Sequence, residues 1–286
     1  MTQPTKTTMN TLFDKYEAEY VPELEPRTQR DYRGILVKLR ETFGHMTPQE
    51  IKPRHVADFI NVKKGRIHRN RMVTILSTVF KIAMGFWCID EDLVNPCTVV
   101  KRWATKPRER YVTDDEFRDF RATCPPPIQI AMDLALLTGQ RQGDIVGMKW
   151  DQVKTPPNRA DWEIWIDQGK TGKKLAISIS PAIEMVLKRA RLLAPVWPRE
   201  YVLRTNQRGD NRGTGYTMDG FRAMWQRCMR KWVAAGHENF HYHDIRAKSI
   251  SDNPVLENAY LLSGHMDKKL TRRVYDRNRR RVEALR

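Results

Sequence analysis

The chain has 286 residues, which leaves room for two domains at the usual ~100–200 residues each. Hydrophobic residues make up 40%, enough to build real cores, so wholesale disorder is excluded. Lys and Arg total 51 against 34 Asp and Glu, and a net charge of +17 draws polyanions from a distance. The longest apolar stretches, such as residues 130–137, are short and broken by Asp133, so no bilayer-spanning helix is expected. The first residues lack the apolar core of a secretory signal. Cys88, Cys97, Cys124 and Cys228 are scattered, with no CxxC pair. That pattern points away from a disulfide framework or zinc knuckle and toward a reducing cytoplasm. The expectation is a soluble, two-domain, cytoplasmic protein that binds nucleic acid or another acidic surface.

The first hundred residues predict helices. Leu12, Phe13, Tyr16 and Tyr20 recur at helical spacing, as do Tyr32, Ile35, Leu36, Leu39 and Phe43 before Gly44. Thr47-Pro48-Gln49-Glu50 reads as a capping box with proline at the first helical position. Pro53 opens another segment through Val56, Phe59 and Ile60, and a long pattern covers residues 72–87. Together these predict an all-α bundle of four or five helices over residues 1–100, ending at Asn95-Pro96. Its acidic start (Asp14, Glu17, Glu19, Glu23, Glu25) is expected to face away from phosphate, or toward another protein. Residues 101–110, KRWATKPRER, hold five basic side chains, one acid and no apolar periodicity. They read as a linker joining two basic domains and able to lie along a phosphate backbone.

The second domain, residues 111–286, opens on another capping box, Thr113-Asp114-Asp115-Glu116. A helix through Phe117 and Phe120 follows, then an apolar helix over 128–137 stopped at Gly139. Trp162, Ile164 and Ile166 alternate with polar residues, as do Leu175, Ile177 and Ile179, around the turn formers of residues 168–173. This predicts a β-hairpin. Helical patterns then occupy 181–193, 218–235, 244–251 and 255–262, with a short strand candidate at 201–204. The fold class is therefore mostly α with a small β-hairpin, α+β in the second domain.

Gly169-Lys170-Thr171 has the look of a phosphate-loop ending. No glycine stands five positions before Gly169 and a strand follows, so a nucleotide loop is rejected. Arg141 follows the Thr138-Gly139 turn, and Asp144, three positions on, is expected to hold its guanidinium. His243 and Arg246 stand three apart on one helical face; Gly264-His265 follows, and Tyr275 comes ten positions after that histidine. His237, His241 and His243 lack carboxylate or cysteine companions at metal spacings, so no metal and no cofactor is expected.

Taken in order, Arg141, Lys170, His243, Arg246, His265 and Tyr275 resemble the catalytic set of the tyrosine recombinase (phage integrase) family, and the likeness covers nearly the whole chain. The resemblance implies a helical core-binding domain ahead of the integrase catalytic fold. Two departures stand out. The 19-residue interval from Arg246 to His265 is a little short, which implies trimmed helices, and the interval to Tyr275 is one residue long. Tyr260 precedes the Gly-His pair and is set aside as nucleophile. The helical domain begins almost at once, so the amino-terminal arm-binding module of many phage integrases is expected to be absent or removed.

The resemblance further implies site-specific strand exchange on double-stranded DNA, as in prophage integration, by a tetramer on paired sites. DNA-bending or directionality proteins would assist, and no membrane is involved. Arg141 and Arg246 would clamp the non-bridging oxygens of the five-coordinate phosphorus with planar, permanently charged forks. His243 would accept the tyrosine proton or bond the phosphate, His265 would donate to a non-bridging oxygen, and Lys170 would protonate the departing 5′-oxygen. Tyr275 would become joined to the DNA 3′-phosphate. Val282 and Leu285 in the arginine-rich tail are candidates to dock on a neighbouring subunit. Arg66, Arg69 and Arg71 near a helix start, with Lys101, Arg102, Lys106, Arg108 and Arg110 in the linker, are the expected phosphate contacts. Two rival functions stay open: DNA relaxation of the type IB topoisomerase kind, and a DNA-binding regulator that has lost the chemistry.

Overall fold

The computed structural model describes residues 7–62, 65–90, 92–104, 108–154, 162–169, 171–193, 200–205, 212–253 and 260–262. The chain divides into two compact units, Met1–Lys106 and Pro107–Arg286. In the first, α1 (Met9–Glu19), α2 (Pro26–Phe43), α3 (Pro53–Asn61) and α4 (Arg66–Gly85) enclose a core that includes Phe13, Leu36, Val56, Leu76 and Phe80. The capping box at Thr47 and Glu50 is present but opens only a 3₁₀ turn, Pro48–Glu50. Pro53 lies just beyond, and the residue before a proline is disfavoured in the helical region; Lys52 is extended. Helix α4 starts six residues ahead of the apolar pattern that announced it, because Arg66–Arg71 is a polar turn that carries no periodicity.

The second unit is built around α6 (Pro126–Thr138), an apolar helix with Ile128, Ala131, Leu134 and Ala135 all buried. Helices α5 (Asp114–Thr123), α8 (Pro181–Leu192) and α10 (Tyr242–Ser251) pack on it, with α7 (Gln142–Val146) following it in the chain. Phe120 meets Trp225 and Trp232 of α9 (Met218–Ala234), and also Phe240, edge-to-face at 5.0–5.5 Å. Such aromatic pairs add about 0.5–1.5 kcal/mol each beyond burial.

The hairpin pairs β2 (Glu163–Asp167) with β3 (Lys174–Ser178), matching Ile164 to Ile177 and Ile166 to Leu175. A third antiparallel strand, β1 (Val153–Lys154), completes the sheet in the order β1-β2-β3. Two residues are too few to show alternation, so β1 leaves no mark in the sequence. The strand candidate at 201–204 forms only isolated bridges, Tyr201 to Lys149 and Arg204 to Gly215. Residues 260–262 are helical, while 255–259 of that expected helix lie outside the described residues. Among the described residues no helix is long and apolar enough to cross a membrane.

Candidate active site

Arg246 sits on α10, and its neighbours seat that helix firmly. Tyr242, buried in the first turn, donates its hydroxyl to the Ala131 carbonyl of α6 at 2.7 Å. Asp244 accepts the His241 backbone N–H at 2.8 Å and so closes the helix start. A ten-residue helix carries His243 and Arg246 on one face, His243 exposed and Arg246 1% exposed. The Arg246 guanidinium donates through Nη1 to the Gly139 carbonyl at 2.7 Å. Gly139 ends α6 with φ of 64°, and a Cβ there would meet Ser249 Oγ at 3.3 Å. Glycine therefore supplies both the left-handed turn and the close approach of α10.

Arg141 comes two residues later. It is the residue preceding α7, with extended backbone (φ −70°, ψ 154°), so its side chain shares no helical face with Asp144. The expected Arg141–Asp144 pair is accordingly not formed among the described residues. Arg141 Nη1 donates instead to Gln168 Oε1 at 2.6 Å, and Asp144 Oδ1 receives the Gly169 N–H at 3.3 Å. Asp144 thus holds the hairpin backbone rather than the arginine. Gln168 also joins Gln140, and both amides are fully buried. A cleft of about 430 Å³ opens here, lined in part by Arg141, Gly143, Asp144, Gln152 and Gly169. The structure thus brings Arg141, Arg246 and the base of the hairpin into one hydrogen-bonded cluster. Lys170, His265 and Tyr275 lie outside the described residues, as does Lys106.

The remaining basic residues singled out in the sequence are engaged within their own units. In the first, the Arg66 guanidinium lies 4.0 Å from the Trp103 ring centre, and Arg69 donates to the Phe59 carbonyl at 3.0 Å. Arg71 pairs with Asp31 at 3.3 Å, and Arg102 bonds the Asn70 carbonyl at 3.1 Å. Lys101 is exposed. In the second unit, Arg108 donates to Asp244 at 2.8 Å, which fastens the chain entering this unit to α10. Arg110 binds Glu116, and also Glu238 at 3.1 Å. Residues 101–110 therefore divide between the units, 101–104 bonding to the first and 108–110 to the second.

A second fastening was invisible to motif reading. Lys248 of α10, 1% exposed, bonds Asp114 and Asp252 at 2.7 Å each and the Tyr111 hydroxyl at 3.1 Å. Burial works against its charge, but the hydrogen bonds to Asp114 and Asp252 outweigh it and hold the ammonium well above its usual range. Asp114 is held below the usual carboxylate range by the Lys248 hydrogen bond. Burial works against Glu116's charge as well, yet Arg110 and the Thr113 N–H hold that carboxyl low. Both carboxyls bind protons less readily folded than unfolded. The stability they supply is complete above the unfolded carboxylate range of about 4 and drains away as pH falls through their folded values. Arg110→Ala should cost about 1 kcal/mol at neutral pH and flatten the acid limb of stability, checked by thermal melting across that range. An acid limb as steep as that of the parent protein would rule out the pairing as its source.

Cysteine chemistry has no foothold in the buried positions, since burial pushes the Cys97 and Cys124 thiols up to about 12. Among the described residues no cluster of His, Cys, Asp and Glu could hold a metal ion. One charged fork, Arg141, lines the cleft, and a second, Arg246, is held on the carbonyl two residues before it; guanidiniums suit a phosphate diester in which negative charge must grow.

Comparison with known proteins agrees with that chemistry. The Phage integrase family profile matches residues 110–281, and the profile "Phage integrase, N-terminal SAM-like domain" matches residues 8–63. The integrase of Escherichia phage HK022 is 29% identical over 184 residues, 62% of this chain and 49% of that protein. The match thus spans about half the length of that curated relative. Among solved structures, a lambda integrase dimer bound to a COC′ core site superposes with a TM-score of 0.79 at 20% identity, covering 98% of this chain and 80% of that one. A lambda integrase tetramer bound to a Holliday junction gives the same score and identity, covering 98% and 81%. At that identity the likeness speaks for the fold. The family profile spans well over half of the sequence, and the chain belongs to the phage integrase family of tyrosine recombinases.

Proposed function

We propose that this chain is a site-specific recombinase that cleaves and exchanges strands of double-stranded DNA, of the prophage integration and excision type. Tyr275 attacks phosphorus: its Oη–P bond forms and the P–O5′ bond breaks. The phenolic proton passes to His243, and the 5′-oxygen leaves with a proton from Lys170. Arg141 and Arg246 neutralise the non-bridging oxygens, to which His265 also donates. One phosphodiester is exchanged for another, so the protein–DNA bond conserves the energy needed to rejoin a new 5′-hydroxyl.

The observation that carries this reading is that the turn after α6 ties together both arginines and the hairpin. Arg246 bonds the carbonyl of Gly139, two residues before Arg141, and Arg141 bonds the hairpin that carries Lys170 in sequence. Two guanidiniums, one held on a turn and one reaching from that turn to the hairpin, suit one phosphate better than a surface charge patch. The deciding experiment offers the protein a nicked suicide duplex bearing its recombination site. Covalent adduct with a free 5′-hydroxyl is expected; absence of adduct on a duplex that is bound would sink the proposal. Strand exchange between two such sites, with tetramers on the paired DNA, separates recombination from simple relaxation.

Lys101, Lys106, Arg66, Arg69, Arg71 and Arg102 are the proposed backbone contacts, while Arg108 and Arg110 reach phosphate only if they share or exchange their carboxylate partners. Neutralising about 6–10 phosphates gives a log–log salt slope of about −5 to −9, measured by filter binding or anisotropy. A slope near about −1 would contradict an enclosing grip. The work takes place where the chromosome is, in the bacterial cytoplasm, and DNA-bending or directionality proteins are proposed helpers.

A further inference from the structure

Gln140 and Gln168 form a buried chain of hydrogen bonds that fixes the geometry around Arg141. Gln168 Oε1 accepts from Arg141 Nη1 at 2.6 Å and from Thr171 Oγ1 at 2.9 Å, which fills both lone pairs. Gln168 Nε2 donates to Gln140 Oε1 at 2.8 Å. Gln140 Nε2 then donates to the Thr138 carbonyl at 2.9 Å and the Leu262 carbonyl at 3.2 Å. The orientation of each amide is forced. Turning Gln140 over would set its oxygen against two carbonyls, and turning Gln168 over would set its NH₂ against a guanidinium. Both residues are 0% exposed, so no water stands in for a lost partner.

Three pieces of the site meet in this chain: the turn that presents Arg141, the hairpin residues flanking Lys170, and the segment that leads into Gly264-His265. The acceptor on Arg141 is a neutral amide, although Asp144 sits nearby and spends its Oδ1 on the Gly169 N–H. A carboxylate in that place would cancel the charge that the phosphate needs, whereas an amide orients the guanidinium and leaves the full charge unspent.

We infer that Gln168, braced by Gln140, is a positioning residue that sets the orientation of Arg141 from the hairpin while leaving its charge available to the scissile phosphate. The inference rests on the proposed role of Arg141 at that phosphate. Gln168 acts through Arg141, and the amide character matters as much as the contact.

The test is a double-mutant cycle in single-turnover adduct formation on a suicide duplex, with duplex affinity and melting temperature measured alongside. Gln168→Ala and Gln168→Glu should each slow adduct formation by about 10- to 100-fold, with affinity changed by less than about threefold. Glutamate keeps an acceptor facing Arg141 but loses the donor to Gln140, so the loss beyond that of Gln140→Leu, which breaks the same bond without adding charge, measures the charge effect. In an Arg141→Ala background either substitution should add less than about threefold, because the route is already cut. Gln140→Leu, which removes the brace, should reproduce part of the loss and likewise vanish in that background. Effects that multiply in the Arg141→Ala background would overturn the inference. A Gln168→Glu protein that is folded and as fast as the parent would overturn it too. If Gln168→Ala folds poorly, the glutamate variant alone decides. An Arg141→Ala protein as fast as the parent would instead remove the role of Arg141 itself, an outcome distinct from failure of the glutamine chain.

Discussion

Tyr275→Phe will leave duplex binding intact and abolish the covalent protein–DNA adduct. The substitution removes one oxygen, the atom that would bond phosphorus, and keeps the aromatic ring. Removing a nucleophile elsewhere has cost on the order of 10⁶ in rate, which on a suicide substrate means no adduct within a working day. Other tyrosines close to α10 offer no substitute. Tyr242 is buried with its hydroxyl on the Ala131 carbonyl, and burial pushes its phenol far above the normal range. Tyr111 donates to Asp252 at 2.6 Å, and burial raises it as well. Tyr260 lies with its ring centre 5.5 Å from the Lys173 ammonium. Because Tyr260 precedes the Gly264-His265 pair, Tyr260→Phe should form adduct at a rate near that of the parent. Adduct persisting in Tyr275→Phe, detected by denaturing gel and mapped by mass spectrometry, would reassign the nucleophile.

The order of the candidate residues was legible in the sequence, while the partners of those the structure describes were not. Arg141, His243 and Arg246 stand out because each sits in a short local pattern at a turn or helix start. Gln140 and Gln168 carry no such mark. They are 28 residues apart, Gln140 just after α6 and Gln168 at the start of the β2–β3 turn, and only the folded chain gives them each other. The same holds for Lys248, which a sequence reader assigns to solvent and which the fold buries between Asp114 and Asp252. Asp144 shows the opposite error. The i, i+3 rule assumes that both residues are helical, and Arg141 is extended. Long periodic helices such as α2 and α9 were readable because burial of one face repeats every turn. The two-residue β1 was not, since nothing repeats in it.

The bonds made by α10 bear on how the first unit's connector communicates with the chemistry. Asp244 receives its own helix start and the Arg108 guanidinium on one oxygen, so the chain entering the second unit pulls directly on the helix that presents His243 and Arg246. Tyr111 and Lys248 repeat the connection one turn further along. Residues 108–111 of a segment that reads as a basic strap thereby bond both α10, through Asp244 and Lys248, and α5, through Glu116.

Arg246→Lys separates charge from geometry at the centre of that arrangement. The Arg246 side chain is 1% exposed and donates through Nη1 to the Gly139 carbonyl; in the proposed reaction its guanidinium also grips the phosphate. A lysine ammonium keeps the charge but cannot reach the carbonyl and clamp two phosphate oxygens through one planar fork. Adduct formation should fall by about 10²–10³, the usual effect of losing a preorganised transition-state donor. Arg246→Ala should fall at least as far and also lose about 1–3 kcal/mol of stability, because the Gly139 carbonyl is left buried and unpaired. The two variants therefore part company in thermal melting and not in rate: lysine recovers much of the stability and little of the chemistry. Duplex affinity, which is spread over many backbone contacts, should change far less than rate in both. An Arg246→Lys protein within about threefold of the parent's adduct rate would mean that charge alone suffices here, and that the fork has no part in gripping the phosphorus.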